Sequence, residues 1–282
     1  MSDGFKAPTS PVRKQSQGDA ASLGTSPTYT KSLFLPPSSL TPGKSPQSPA
    51  GKSRKPYVIG ITGGSSSGKT TLAKMIVNQL KKRSILLLSL DSFYRPLTHD
   101  EKVALAGQEG FNFDLPSSFD FELLLATMRR LCIEKKPAEV PVYDFVTSDR
   151  VGSETVQPAD VVVLEGILVL YWKDLRDMMD LRIFLDTNGE TRLARRILRD
   201  TRERGRAVEA VLLQYERFVR PAFESYIAPT KEYSDIIVPR GSGNTVAISL
   251  IVDHIKGKLH PHGSLIVDDQ GDSIIGELAQ SH

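Results

Sequence analysis

The 282-residue sequence predicts an α/β fold in which a parallel sheet is covered by helices on both faces. Three observations carry that prediction. Short runs rich in Val, Ile and Leu recur at Tyr57 to Thr62, Ile85 to Leu90, Asp160 to Gly166, Leu181 to Asp186 and Asp235 to Pro239, and unbroken apolar runs mark strands buried on two faces. Segments with helical periodicity lie between them, as the crossovers of a parallel sheet require. The first run passes directly into Gly63-Gly64-Ser65-Ser66-Ser67-Gly68-Lys69-Thr70, and a helical pattern opens behind it.

That stretch fits G-x-x-x-x-G-K-[ST] between a strand and a helix, so the architecture expected is the P-loop NTPase fold. A glycine-rich turn lets successive backbone N–H groups face a phosphate chain at the positive end of a helix. Lys69 then reaches the β and γ phosphates, and Thr70 offers a hydroxyl to Mg²⁺, which takes few protein ligands beside phosphate and water. Gly63, Gly64, Ser65, Ser66, Ser67, Gly68, Lys69, Thr70 and the adjoining Thr71 are the candidate nucleotide-binding residues. A Gly/Ser linker is the plainer alternative, and the flanking elements speak against it.

Composition bounds what surrounds this loop. With 39% hydrophobic and 24% charged residues, the chain can bury one substantial domain with tails, or two small ones. No run approaches the roughly 18 apolar residues of a membrane span, and no apolar leader opens the chain, so a soluble protein without a membrane partner is expected. One cysteine, Cys132, builds neither a disulfide framework nor a metal cluster. Its expected role is helix packing, and a reducing compartment, most simply the cytosol, agrees with that count. The formal charge of +3 is unevenly spread: residues 1–55 hold eight Lys/Arg against Asp3 and Asp19, leaving 28 basic and 31 acidic residues beyond. The folded part is mildly acidic, and no nucleic-acid partner is expected.

Residues 1–55 are rich in Ser, Pro, Thr and Gly without periodicity, the composition of a disordered, basic tail. Ser10, Ser26, Thr41, Ser45 and Ser48 each precede proline and are candidate sites of proline-directed phosphorylation, although a plain solvated tail explains them as well. A transit peptide is disfavoured, because the prolines oppose an amphipathic helix. The domain is expected over 56–258, with a short C-terminal tail over 259–282.

Within the domain, Leu72, Met75, Ile76 and Leu80 recur at helical spacing, and Lys81, Lys82 and Arg83 suit the last turn of a helix ending near Lys82. The next strand ends in Asp91-Ser92-Phe93-Tyr94, and ligands bind at the carboxyl ends of such strands. Asp91 is therefore a candidate. Thr98 to Ala106 reads as a helix, and Asp120 or Ser118 caps another, whose apolar face is Leu123, Leu124, Met128 and Leu131. Asp114 precedes Leu-Pro in an extended, aromatic-flanked segment and suits a ligand carboxylate or a turn residue equally well.

Val140 to Phe145 alternates as one strand of a hairpin whose turn is assigned to Gly152 and Ser153. Tyr143 and Phe145 share a face, suited to core packing or to a flat-ring pocket. The run Asp160 to Gly166 ends in Glu165, where P-loop proteins place a Mg²⁺-linked carboxylate. Val208 to Tyr226 reads as one long helix, and Thr245 to Leu259 closes the domain on Val246, Ile248, Ile251, Val252 and Ile255.

Seven arginines fall between Arg192 and Arg206. A solvated helix with ion pairs to Asp200 and Glu203 accounts for Arg192, Arg195 and Arg202. The remainder suit guanidinium forks closing over transferring phosphates, on an arginine-rich helical lid hinged at Gly205 that excludes water.

Taken together, the loop, Leu90-Asp91-Ser92-Phe93-Tyr94, Phe111-Asn112-Phe113-Asp114, Pro141-Val142-Tyr143-Asp144-Phe145, Glu165-Gly166-Ile167-Leu168 and Ile237-Val238-Pro239-Arg240-Gly241 resemble the uridine-cytidine kinases over about residues 56–258. The phrase from Gly241 to Ile248 most resembles the uridine-kinase-like branch, whose members often continue into a phosphoribosyltransferase-like domain that a chain of this length is not expected to hold. The resemblance implies phosphorylation of uridine and cytidine to UMP and CMP with ATP or GTP and Mg²⁺, as pyrimidine salvage requires, by a homotetramer inhibited by pyrimidine triphosphates.

It also implies roles. Asp91 matches the catalytic base, acting with Lys69, and Thr70, Glu165 and Asp91 complete the metal site. Asp114, Arg196 and Gln214 match the ribose contacts, and Phe113, Tyr143, Phe145 and Arg206 the rest of the nucleoside pocket. Arg199 and Arg204 match lid residues on phosphate. Two departures stand out: Ser148 occupies the place of a base-reading histidine, leaving a polar edge to water or Asp149, and Leu115 replaces a histidine after Asp114. They keep two other readings open, a nucleotide-binding scaffold with altered activity and a P-loop kinase for another small hydroxyl acceptor.

Overall fold

The computed structural model describes residues 32–35, 55–80, 83–107 and 110–259. The chain runs β1 (Leu33–Leu35), β2 (Tyr57–Gly63), α1 (Lys69–Gln79), β3 (Ile85–Ser89), α2 (His99–Ala106), α3 (Phe121–Cys132), β4 (Ala138–Asp144), β5 (Asp149–Val156), β6 (Val161–Glu165), α4 (Lys173–Arg176), β7 (Leu181–Asp186), α5 (Gly189–Glu203), α6 (Val208–Gln214), α7 (Arg220–Ala222), β8 (Ile236–Pro239) and α8 (Thr245–Leu259). The expected parallel sheet is present in the order β1-β3-β6-β2-β7-β8. Every neighbouring pair is parallel except β1, which joins the β3 edge antiparallel.

Successive residues of the central strands face opposite sides. Val58, Leu86, Leu88, Val162 and Leu164 pack with Leu124, Met128 and Leu131 of α3. Ile59, Ile61, Val161, Val163 and Ile183 instead meet Leu72 and Ile76 of α1 and Ile248, Ile251 and Ile255 of α8. Burying each such side chain contributes about 1.5–3 kcal/mol, so both faces select apolar residues and the strands read as continuous runs. Cys132 sits in the first layer, where burial pushes its thiol up to about 11. Asp120 caps α3 by accepting from the Leu123 N–H at 3.1 Å, and Thr98 and Glu101 form a reciprocal capping box on α2.

Several expectations are corrected. Leu33-Phe34-Leu35, inside the segment read as a disordered tail, forms β1, because an apolar trio can pair with an open sheet edge whatever the composition around it. The other residues of both expected tails, except Ser32, Lys55 and Leu259, and the Ser/Thr-Pro steps lie outside the described residues, as do Lys81 and Lys82. Helix α1 closes earlier than expected, at Gln79, with the Leu80 N–H turning back to the Val77 carbonyl.

The hairpin turn lies at Phe145 to Ser148, not at Gly152 and Ser153. The Asp144 carboxylate builds it by accepting from the Val146 N–H at 2.9 Å and the Thr147 hydroxyl at 3.0 Å, and Ser148 takes a left-handed φ of 53°. Gly152 and Ser153 pair inside β5 with Val142 and Pro141. The helical path after Val208 is continuous but passes through π turns at Tyr215–Val219 and Phe223–Ile227, flanking the Pro221 turn. Val246 is 70% exposed, so the buried stripe of α8 begins at Ile248. Among the described residues, no helix is long and apolar enough to cross a membrane.

Candidate active site

A cleft of about 380 Å³ lies over the carboxyl ends of β2, β3 and β6. The loop between β2 and α1 forms one wall. Its backbone turns left-handed at Ser66 (φ 61°) and Gly68 (φ 98°), an arrangement that aims successive N–H groups at the concave side. The Ser67 N–H returns to the Gly64 carbonyl at 3.1 Å, and Lys69 Nζ folds over the same oxygen at 3.0 Å. Burial lowers the pKa of this ammonium, while Glu165 and Asp91 oppose the shift. The Gly64 backbone is backed by Arg192, whose Nη1 would lie 2.3 Å from a Cβ there, so a side chain at this position would have to displace the Arg192 guanidinium.

The floor carries the acids. Glu165 ends β6 buried, accepting from Thr70 Oγ1 at 3.0 Å and Ser89 Oγ at 3.3 Å. Burial, with Asp91 adding, holds its pKa above the usual range against the pull of Lys69. Asp91 lies in the short turn after β3, its N–H bonded to Ser89 Oγ at 3.3 Å, and it faces the same space. A hydroxyl and two carboxylates are hard oxygen donors of the kind Mg²⁺ selects. Among the described residues no group of three or more His, Cys, Asp or Glu is placed to hold a metal ion by itself.

The far wall is aromatic. Asn112 holds the Asp114 N–H at 3.0 Å and its own carbonyl takes the Ser118 hydroxyl at 2.9 Å, a local turn that drives the Asp114 side chain inward. Asp114 is buried and its Oδ2 has no hydrogen-bond partner among the described residues. Burial raises its pKa, Arg196 opposes this and Asp91 adds to it. Tyr94, Phe113, Tyr143, Phe145 and Ser148 stand beside it. Tyr94 and Tyr143 have ring centroids 5.0 Å apart, and Tyr143 and Phe145 meet edge to face at 5.7 Å. Tyr143 thus does both things left open, packing in the core and lining the pocket. Burial lifts its phenol to about 12, with the Ser148 hydroxyl bonded to it in opposition.

Arginines close the remaining side. Arg196 donates to Ser65 Oγ and Gln214 Oε1, each at 2.9 Å, and Arg206 donates to the same Gln214 oxygen at 3.0 Å. Arg204 stacks 4.4 Å over the Phe145 ring, and burial lowers its pKa to about 10. Lys69, Arg195, Arg196, Arg199, Arg204 and Arg206 face Asp91, Asp114 and Glu165 across the cleft, a surplus of three positive charges suited to a polyanion.

Comparison with known proteins identifies the family. The model of the phosphoribulokinase/uridine kinase family matches residues 58–247. The chain belongs to that family. It is 50% identical over 214 residues to uridine-cytidine kinase A of Dictyostelium discoideum, covering 76% of this chain and 42% of that protein. To uridine-cytidine kinase B of the same organism it is 48% identical, covering 73% of this chain and 84% of the other. Uridine/cytidine kinase UKL1, chloroplastic, of Arabidopsis thaliana is 49% identical over 74% of this chain and 43% of its own length. The chain therefore spans less than half of some relatives and most of others.

Against this family background, the cleft brings together most of the sequence candidates: Ser65, Ser66, Gly68, Lys69, Thr70, Thr71, Asp91, Phe113, Asp114, Tyr143, Phe145, Ser148, Glu165, Arg196, Arg199, Arg204, Arg206 and Gln214 all line it. Gly63, Gly64 and Ser67 do not; they form the base of the loop, with Ser67 fully buried and its carbonyl bonded by Thr187 Oγ1 at 3.1 Å. Leu115 stays outside the cleft, and Asp149 is engaged by Lys102 at 2.9 Å rather than by Ser148.

Two arginines assigned to solvent are elsewhere. Arg195 lines the cleft. Arg192 is buried, stacked 3.8 Å over Phe223 with its Nε on the Thr187 carbonyl. Sequence reasoning also missed Tyr94, Gly166, Ile167 and Ser242 as lining residues. The first three lie inside phrases already singled out, whereas only the fold brings Ser242 over Gly68.

Proposed function

We propose that this family member phosphorylates uridine and cytidine at the 5′-hydroxyl, with ATP or GTP as donor and Mg²⁺ as cofactor, giving UMP and CMP for pyrimidine salvage. The observation that carries the reading is one cleft lined by the phosphate loop, by Asp91 and by a buried Asp114 whose Oδ2 has no hydrogen-bond partner among the described residues. Asp114 is suited to accept from ribose hydroxyls, with Arg196 and Gln214 beside it, and Phe113, Tyr143, Phe145, Ser148 and Arg206 form the base pocket. Asp91 accepts the proton of the attacking hydroxyl. Lys69, Arg199 and Arg204 neutralise the transferring phosphoryl group, for which positioning and charge supply most of the catalysis. Thr70, Glu165 and Asp91 are the residues that would hold Mg²⁺, which would supply charge neutralisation to the phosphates there.

The kinase domain in this reading is residues 56–258, acting in the cytoplasm as a homo-oligomer, a tetramer by resemblance, without nucleic acid. A coupled ADP-release assay over a nucleoside panel, with ribulose 5-phosphate and pantothenate as other acceptors, tests it. Turnover of uridine or cytidine is expected. Nucleotide binding without turnover of either nucleoside overturns the reading in favour of a scaffold, and turnover of another acceptor alone overturns it in favour of a different kinase.

A further inference from the structure

Asp200 lies near the end of α5, fully buried, behind the cleft rather than in it. Four guanidinium groups converge on its carboxylate: Arg199 Nε at 2.8 Å, Arg206 Nη1 at 3.4 Å, Arg204 Nη1 at 3.5 Å and Arg196 Nε at 3.7 Å. All four arginines also line the cleft. Arg196 and Arg204 stand one helical turn before and after Asp200, the spacing that places side chains together. Gly205 then takes φ 63° and reverses the chain, so that the Arg206 N–H bonds the Asp200 carbonyl at 3.0 Å. A Cβ at 205 would touch nothing within 4 Å; the glycine is there for its left-handed backbone.

One carboxylate against four guanidiniums leaves three positive charges without an answer from Asp200. A simple structural ion pair is balanced one to one. Here the excess is gathered on one side of the acid and turned toward the cleft. Burial disfavours the Asp200 charge, yet Arg199, Arg204 and Arg196 together hold its carboxyl below the usual range, so it stays an anion at neutral pH.

We propose that Asp200 is a positioning residue that presets the arginine lid before polyphosphate arrives. It touches no substrate. By pairing electrostatically with the four arginines from behind, with hydrogen bonds to Arg199 and Arg206, it offsets their mutual repulsion and fixes them where phosphate oxygens arrive. The proposal rests on the kinase reading for its turnover test only. Without the carboxylate, a polyanion still attracts the four cations, so affinity persists, but their geometry at the transferring group is lost and the rate falls.

The test uses Asp200→Asn and Asp200→Glu in the full chain. MgATP and inorganic tripolyphosphate binding are followed by calorimetry, and turnover by ADP release with uridine. Asp200→Asn is expected to lower kcat at least about 10-fold while leaving the KM for ATP within about threefold, and Asp200→Glu to recover a third or more of kcat. A kcat within twofold of the parent overturns the proposal, as does parallel loss of kcat and polyphosphate affinity, which marks a folding brace. If the Asn variant does not fold, trypsin decides on the parent protein without nucleotide. Cleavage between Arg195 and Arg206 slower than in a denatured control by 10-fold or more is expected, and cleavage as fast as that control overturns a preset lid. If the parent binds tripolyphosphate yet phosphorylates no nucleoside, the kinase reading fails, and the trypsin pattern and the polyphosphate affinity of Asp200→Asn still decide the role of Asp200.

Discussion

Arg196 Nη1 donates to Ser65 Oγ at 2.9 Å, joining two residues 131 positions apart. Through its other terminal nitrogen the same guanidinium holds Gln214. The phosphate loop and the proposed ribose site therefore share one cation, through which an event at either is expected to be felt at the other. Arg196→Gln is expected to lower kcat/KM for uridine about 10- to 100-fold, as for loss of charge-assisted hydrogen bonds. It is also expected to abolish any dependence of uridine affinity on bound nucleotide. Steady-state kinetics measure the first, and calorimetric titration of uridine with and without a non-hydrolysable ATP analogue measures the second; unchanged coupling would show that the bridge transmits nothing.

Asp114 exposes a conflict between function and stability. Burial raises its folded-state pKa, with Arg196 opposing. For a carboxyl raised on folding, the favourable contribution is complete below the unfolded pKa and is lost as pH rises through the folded one. At neutral pH the ionised group therefore costs stability. Asp114→Asn is expected to raise Tm by about 2–4 °C, near 1 kcal/mol for a domain of this size, with the gain shrinking as pH falls toward the ordinary Asp range. Uridine affinity falls at least about 100-fold in the same protein, because a ribose hydroxyl loses its charged acceptor. Scanning calorimetry at several pH values, paired with binding, checks both directions.

Asp91→Asn removes the proposed general base together with one proposed Mg²⁺ donor. Positioned general bases contribute about 10²- to 10⁴-fold, so kcat is expected to drop by that factor with the uridine Kd within about threefold. Equal loss in kcat and affinity would assign Asp91 to binding instead.

Ser148 sits at the hairpin tip in a left-handed conformation, bonded to the Tyr143 hydroxyl. Histidine tolerates that backbone region better than most residues. Ser148→His brings a ring nitrogen to the base edge and frees Tyr143 from its present bond, and the uridine-to-cytidine ratio of kcat/KM is expected to move about 10-fold, equivalent to about 1.4 kcal/mol. Steady-state kinetics on both nucleosides measure it, and an unmoved ratio removes Ser148 from base recognition.

Cys132 gives a readout independent of catalysis. With its thiol raised to about 11 from 9.0, the thiolate fraction at pH 8 drops roughly 100-fold. Iodoacetamide labelling of the native protein at pH 8 is expected to be slower than that of the urea-unfolded chain by at least this factor.

The sheet and the phosphate loop were legible because each rests on local chemistry: strands buried on two faces must be apolar throughout, and a phosphate cradle needs small residues at fixed spacing. Strand-end acids were legible for a related reason, since Asp91 and Glu165 break apolar runs. The hairpin turn was misplaced because Gly152 is a loud signal, whereas Asp144 builds the real turn with its carboxylate. Arg192 escaped because sequence shows a charge and not the Phe223 ring 3.8 Å beneath it. Roles in the acceptor pocket came from resemblance to a family rather than from spacing, which left Asp114, Tyr143 and Phe145 undecided.

The three residues of β1 have a further consequence. Strand β3, Ile85-Leu86-Leu87-Leu88-Ser89, is as apolar a segment as the molecule contains, and β1 covers its outer backbone through Leu33↔Leu87, Phe34↔Leu86 and Leu35↔Ile85. An uncovered strand of that composition is a template on which other copies add and precipitate. A truncation beginning at Pro56, natural for anyone trimming a low-complexity tail, would strip this cover and is expected to yield a protein that aggregates through its own sheet edge.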